Sequence, residues 1–262
     1  MKTKTMKTKF KILNLLTWAT LILSSPAQAA NLNFDDSWEI FGDVQASSPS
    51  QVNLSTDGLF FDDADLGGNN GDFNFSGNPA GSVGFGSSDL SEFLDITVDQ
   101  LDVGGFAYEG SAIKQTINVN AGDKLKFSWN FRTNETFLDT DPLRGSFLDY
   151  SFLLVDNQII TLADINDATL NSASIFDQET GLQNYEYTFN NGGTYKIALG
   201  LVEIDDFAVT SALTVEDVRL EKSNIVTQPI PEPGTILGIA MVGGFSVLFK
   251  KKYSNREKNT RT

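Results

Sequence analysis

The sequence predicts an all-β domain, an antiparallel β-sandwich, preceded by an N-terminal signal peptide and followed by a single C-terminal transmembrane helix. Three patterns lead there. Apolar and polar residues alternate with period 2 through the middle of the chain, turn residues separate the alternating runs, and each end carries a short apolar stretch beside lysines.

The alternation is clearest in Lys124 to Arg132. Leu125, Phe127, Trp129 and Phe131 share one parity; Lys124, Lys126, Ser128, Asn130 and Arg132 share the other. That is the signature of a half-buried antiparallel strand. Ala121-Gly122-Asp123 supplies the turn before it, after a strand near Ile113 to Val119. Tyr185, Tyr187 and Phe189 alternate, Asn190-Asn191-Gly192-Gly193 turns the chain, and Tyr195, Ile197 and Leu199 alternate again. This reads as a hairpin. Tyr150, Phe152 and Leu154 begin a further strand, and one short helix-like stretch lies near Thr161 to Leu170. Many strands with short turns argue a sandwich or a barrel. In the last strand Leu213 and Val215 have one parity, Val218 and Leu220 the other. Strict pleating cannot bury all four on one face, so a β-bulge at Glu216-Asp217 is expected, with a carboxylate turned toward the interior or a loop.

Charge is segregated. Residues 30–225 hold 8 Lys/Arg against 32 Asp/Glu, a net −24, whereas the first 29 residues hold five lysines and no acid. Such a middle domain repels phosphate backbones, which excludes nucleic acid as a partner. It suits divalent cations, basic partners or neutral glycans. The chain has no Cys and no His. Thiol catalysis, histidine base catalysis and ordinary zinc sites are thereby excluded, and any metal would be a hard, oxygen-seeking ion such as Ca²⁺.

The first segment, residues 1–29, has lysines up to Lys11, an apolar run from Ile12 to Leu23, and then Ser24-Ser25-Pro26-Ala27-Gln28-Ala29-Ala30. A positive region, an apolar region and an A-x-A site define a secretory signal peptide. Ala27 and Ala29 form that site; cleavage is expected after Ala29, with the bond after Ala30 as the alternative. Signal peptidase is the implied partner. The last segment, residues 224–262, holds Pro231-Glu232-Pro233-Gly234, an uncharged run from Thr235 to Phe249, and a basic tail over 250–262 that opens with Lys250-Lys251-Lys252. At about 1.5 Å per residue the run spans roughly 22 Å, short of a ~30 Å hydrocarbon core, but flanking lysines can snorkel. Those lysines fit the cytoplasmic side of a membrane. The prolines keep Glu232 extended just outside the bilayer, where a membrane-embedded enzyme could grip it.

Pro231, Glu232 and Pro233, the short apolar run and the basic tail together resemble the PEP-CTERM sorting signal, over about residues 229–253. The resemblance implies an exosortase-type processing enzyme as partner, secretion across the inner membrane, transient membrane anchoring, and delivery to the cell surface or extracellular matrix. It also implies an association with exopolysaccharide. The middle domain, residues 30–223, resembles at its two ends the carbohydrate-binding-module, galactose-binding-like jelly roll. Asn31-Leu32-Asn33-Phe34-Asp35 with Trp38 and Gly42-Asp43-Val44 is similar to the opening pattern of that fold. Val215-Glu216-Asp217-Val218-Arg219-Leu220 is similar to its closing strand, and Phe106 to Ala112 to a middle strand. The resemblance implies a structural Ca²⁺ between Asp35 and Glu216, with Asp217 beside it. Asp35 and Glu216 each keep the charge but differ from the pattern by one methylene.

Other candidates are weaker. Asp62 to Asp72 is acidic and glycine-rich, but fits no calcium-loop spacing and reads as a surface loop. Asp139, Asp141, Asp205 and Asp206 are adjacent acids; glycoside hydrolysis needs two placed across a cleft, so no catalytic residue is assigned. Trp38, Phe60, Phe61, Tyr108 and Tyr150 are candidates for a sugar-stacking platform, though aromatics on alternating strands usually belong to a core. The expectation is a non-enzymatic surface or matrix protein that binds polysaccharide. The alternatives are a self-associating structural envelope protein and a carboxylate-dependent glycan hydrolase.

Overall fold

The computed structural model describes residues 29–35, 37–59, 72–84, 89–135 and 147–223. Residues 1–28 of the expected signal peptide with Ala27, the expected sorting tail with Pro231, Glu232 and Pro233, the membrane helix expected over 235–249, and Phe60, Phe61, Asp139 and Asp141 lie outside the described residues.

In chain order the strands are β1 (Ala29–Asn31), β2 (Glu39–Phe41), β3 (Asp43–Ser48), β4 (Gln51–Ser55) and β5 (Gly81–Ser82). Two short helices follow, α1 (Leu90–Leu94) and α2 (Val98–Leu101), then β6 (Ala107–Val119), β7 (Lys124–Thr133), β8 (Tyr150–Val155) and β9 (Gln158–Asp164). The rest are β10 (Leu170–Asn171), β11 (Gln178–Glu179), β12 (Gln183–Thr188), β13 (Gly193–Ile204) and β14 (Ser211–Glu221). They form two sheets, antiparallel throughout. The larger runs β10-β11-β7-β14-β4-β3, with β12 also on β7 and β1 also on β14. The smaller runs β2-β6-β13-β8-β9, with β5 also on β6. The sheets pack face to face as a β-sandwich.

The core between them is built from the predicted parities. Leu125, Phe127, Trp129 and Phe131 of β7 are all buried and meet Ile113, Ile117, Leu153, Ile197, Leu199 and Leu201 of the smaller sheet. The bulge in β14 is present. Its register to β7 shifts between Glu216 and Arg219, so Leu213, Val215, Val218 and Leu220 all reach the same core. Asp217 takes the strain with φ 54° and points to solvent rather than inward, its N–H donating to the Ser50 carbonyl at 2.9 Å.

Two expectations fail. Asn190 to Gly193 does not close a hairpin, because β12 pairs with β7 in one sheet and β13 with β6 and β8 in the other. The turn crosses between the sheets, and Phe189 packs on Tyr195 (4.9 Å between ring centroids) where it does so. The helix-like stretch near Thr161 is strand β9 up to Asp164, then one 3-10 turn over Ile165–Asp167 capped by the Asp164 side chain. β-branched Ile159, Ile160 and Thr161 favour the pleat. The true helices lie earlier. Asp89 caps α1 by accepting from the Ser91 N–H at 2.7 Å, and Thr97 with Gln100 forms a capping box on α2.

These helices make the sandwich asymmetric. Leu90, Leu94 and Leu101 pack on Ala112, Tyr150, Phe152, Leu154, Ala198 and Val202, the outer face of the smaller sheet. Every residue of β8, and β13 from Ile197 onward, is therefore buried, whichever way its side chain points.

One end of the inter-sheet core is polar. Glu109 and Glu203 are directly paired across β6 and β13, and both are buried, as is Asp149. Asp149 is supported by the Ser211 hydroxyl at 2.7 Å and the Ile204 N–H at 3.0 Å. Neither carboxyl oxygen of Glu203 makes a hydrogen bond of ordinary geometry, although the nearby Thr56 hydroxyl favours its charge. Burial, with Asp149 and Glu109 adding repulsion, raises Glu203 well above the usual carboxylate range; burial also raises Asp149, to about 7. A carboxyl whose folded pKa exceeds its unfolded value stabilises the fold below the unfolded value. That stability is lost as pH rises through the folded value. The domain should therefore melt several degrees higher at pH 5 than at pH 8. Glu203→Gln should raise the pH 8 melting temperature, by on the order of 1–3 kcal/mol of stability, and flatten the pH dependence. A melting temperature that rises from pH 5 to pH 8 contradicts this.

Candidate functional site

Helices close one sheet; the other keeps an open face. In β7 burial alternates strictly, residue by residue, and in β4 Val52 and Leu54 are buried while Gln51 and Asn53 are half-exposed. The side chains that point away from the core therefore lie together on the outer surface of the larger sheet.

Strand register puts them in rows. Asn53, Thr214 and Asn130 are cross-strand neighbours; so are Gln51, Glu216, Ser128 and Asn184 in the next row. The Thr214 hydroxyl donates to Asn53 Oδ1 at 2.7 Å and accepts from Arg132 Nη2. Asn130 Nδ2 donates to Glu179 Oε2 at 3.0 Å, and the Thr180 hydroxyl donates to Asn130 Oδ1 at 3.2 Å. Gln51 Nε2 donates to Glu216 Oε1, and the Ser128 hydroxyl to Asn184 Oδ1 at 2.9 Å. The face is thus tiled with amides and hydroxyls, with Arg132 set among them. Its guanidinium lies 5.7 Å from the Phe176 ring centre. Burial lowers the Arg132 pKa, while Glu179 and Glu216 pull the other way.

An aromatic wall stands at this end. Phe176 packs on Phe73 with centroids 5.1 Å apart. Phe73 belongs to a segment pinned by two buried carboxylates. Asp57 accepts from the N–H groups of Leu59 (2.8 Å) and Phe73 (3.1 Å); Asp43 accepts from those of Phe75 (2.8 Å) and Ser76 (2.7 Å) and from the Ser55 hydroxyl. Burial raises the Asp57 pKa in spite of these bonds. At the opposite end charges are spent on one another. Lys126 sits between Glu186 (3.0 Å) and Glu221 (2.9 Å), and Lys124 meets Glu186 at 2.5 Å. Hydrogen bonds to Glu221 and Glu186 raise the Lys126 pKa.

The three residues expected at a calcium site each have surroundings of their own. Asp35 is exposed, and its Oδ1 accepts from the Ser37 hydroxyl (2.6 Å) and N–H (3.0 Å), which lower its pKa. Glu216 lies on the open face against Gln51, and the bulge turns Asp217 into solvent. Among the described residues no three carboxylates form a group that could hold a metal ion.

The expected aromatic platform is likewise dispersed. Tyr150 is core, its hydroxyl donating to the Leu101 carbonyl at 2.8 Å. Tyr108 packs edge-on against Phe207 (4.7 Å). Trp38 is buried against Phe34 (5.5 Å), and with Asp35 and Ile40 it lines a separate cavity of about 270 Å³. Asp205 Oδ1 accepts from the Phe106 N–H at 2.8 Å, and its own N–H donates to the Phe106 carbonyl at 2.8 Å. Asn130 and Arg132 were legible in the sequence as the outward parity of β7. Gln51, Asn53, Thr214, Glu179, Phe73 and Phe176 were not singled out, although Gln51-Val52-Asn53-Leu54 carries the same alternation.

No protein-family profile matches the chain. No curated protein matches it either. Solved structures similar to it include TmCBM61 in complex with beta-1,4-galactotriose, at 10% identity over 76% of this chain and 90% of that one, TM-score 0.29. A CBM4 structure is 12% identical over 72% of this chain and 96% of its own, TM-score 0.29. The K1 cleaved adhesin domain of Lys-gingipain from Porphyromonas gingivalis W83 is 9% identical over 76% and 99%, TM-score 0.29. These likenesses assign no ligand to the chain.

Proposed function

We propose that the chain is an exported, non-catalytic surface or matrix protein whose sandwich, a jelly roll of carbohydrate-binding type, holds a neutral polysaccharide on the open face of the larger sheet. The observation that carries this is the row Asn53, Thr214, Asn130, with Arg132 and Glu179 beside it and the Phe73–Phe176 wall at its end. Sugars offer hydroxyls that donate and accept at once, and apolar ring faces. Amides, hydroxyls, the Arg132 guanidinium and the Glu179 carboxylate match the first; the half-buried Phe73 ring, held against the buried Phe176, matches the second. The domain charge of −24 disfavours acidic polymers, which argues for a neutral chain.

On the same reading, signal peptidase removes the first 29 or 30 residues. An exosortase-type enzyme then cleaves near Pro231-Glu232-Pro233 after transient anchoring through residues 235–249. Mass spectrometry of the protein recovered from cells should show both ends missing; an intact 262-residue chain contradicts the route.

Affinity electrophoresis through neutral polysaccharides, β-galactans and β-glucans among them, tests the site. The chain should be retarded by at least one. Asn130→Ala and Asn53→Ala should each weaken binding by about tenfold, the loss of one well-placed hydrogen bond in a desolvated contact, with folding unchanged by circular dichroism. Thr116→Ala, at an exposed position of β6, should bind as the parent does. Equal binding by all three variants, or no binding to any neutral polysaccharide, contradicts the proposal. Release of new reducing ends would favour a hydrolase instead.

A further inference from the structure

A second concavity lies away from the open face, beside the place where the chain crosses between the sheets. β2 ends the smaller sheet, β3 ends the larger, and Gly42 joins them. The cavity of about 270 Å³ is found here. Val44 of β3, Val52 of β4 and Ile113 of β6 line its buried part; Ile40 of β2, 59% exposed, lines it at the surface. Its size is a little below the roughly 300–1,000 Å³ of pockets that hold drug-sized ligands, so an occupant is small. Phe34 and Trp38 supply two aromatic walls, with ring centres 5.5 Å apart and planes 45° to one another. The segment that carries them is fixed by its backbone. The N–H groups of Leu32, Phe34 and Trp38 donate to the carbonyls of Val218 (2.8 Å), Pro49 (2.9 Å) and Asp35 (3.1 Å). The walls therefore stand in place before any ligand arrives, which lowers the entropic cost of binding.

One polar side chain breaks this apolar lining, and it decides the ligand. Asp35 lines the cavity and is exposed. Its Oδ1 accepts from the Ser37 hydroxyl and N–H, which keep it ionised, and the Ser37 hydroxyl accepts in turn from Gln115 Nε2 at 2.6 Å. Among the described residues no basic side chain lines the cavity. A sugar would bring several hydroxyls to walls that offer a single carboxylate. An anion would meet Asp35 and a domain charge of −24. A neutral apolar molecule would cover Asp35 and return nothing for its lost water. A primary ammonium would need acceptors for three N–H donors. A quaternary ammonium has none of these faults. Its charge is spread over methyl groups that need no hydrogen bonds, suit Val44, Val52 and Ile113, and are attracted by aromatic rings and by a carboxylate. The acidic domain also concentrates cations near its surface.

We propose that this cavity binds a small quaternary ammonium ion, its methyl groups between Phe34 and Trp38 and its charge answered by Asp35. The site is separate from the open face of the larger sheet and does not depend on polysaccharide binding there.

Equilibrium dialysis of the full chain against choline tests this. Saturable binding at one site is expected, with a Kd of about 1 mM or tighter. 3,3-Dimethylbutan-1-ol has the same shape without the charge and should bind about tenfold more weakly or worse, because cation–π and carboxylate attraction are lost. Asp35→Asn and Ile40→Lys, both at exposed positions, should each weaken choline binding by about tenfold, the first by removing the anion and the second by adding a cation at the cavity. Ile175→Lys, equally exposed in a different part of the fold, makes the same charge change and should not. Absence of saturable choline binding, equal binding of the neutral alcohol, or binding that both Asp35→Asn and Ile40→Lys leave unchanged overturns the proposal.

Discussion

The structure turns on an unequal covering of its two sheets. β8 and β13 are buried on both faces because α1 and α2 press Leu90, Leu94 and Leu101 onto the outer side of the smaller sheet. A strand buried on both faces is apolar in both parities, as Phe152-Leu153-Leu154-Val155 and Ile197-Ala198-Leu199 show. The larger sheet is covered only in part: along β14 Ser211 to Val215 are buried in both parities. Its β7 must alternate, and the polar half of the alternation becomes a surface. Where function can sit is thus decided by where the helices do not.

The same interior shows two ways of burying a carboxylate. Asp43 and Asp57 each accept at least two backbone N–H bonds, and they hold residues 72–80 and the Phe73 ring in place. Their oxygens are satisfied by hydrogen bonds, although at Asp57 desolvation still outweighs them. Glu203 opposes Glu109 across a buried pair and has no such support. Repulsion and desolvation then fall on the same group, and a proton is the simplest relief. The polar end of the core is therefore the least settled part of an otherwise apolar interior.

Much of this was written in the period of the sequence. The inward and outward parities of β7 read directly, and so did the bulge in β14, because a phase slip between Val215 and Val218 has one structural remedy. Turns were less informative. Asn190 to Gly193 announces a reversal, but nothing local says whether the next strand joins the same sheet or crosses to the other. The helices were missed because they are four and five residues long and carry no full amphipathic period, leaving only Asp89 and the Thr97–Gln100 box as signals. For the site, Asn130 and Arg132 were visible as outward residues of one strand. Their partnership with Asn53, Thr214 and Glu179 depends on strand order, which periodicity does not carry. Asp35 and Glu216 were paired through the end motifs alone, and the sequence did not say that the bulge which restores the core sends Asp217 outward and leaves Glu216 on the sheet face.

The central claim is that the uncovered face of the larger sheet is the working surface. Side-chain amide resonances of Asn and Gln report on it directly. On titration with a neutral polysaccharide that the chain retains, the amide groups of Gln51, Asn53, Asn130 and Asn184 should shift together, while those of Asn118 and Asn157 on the smaller sheet's side stay in place. Shifts confined to Asn118 and Asn157, with the first four unmoved, would contradict the account.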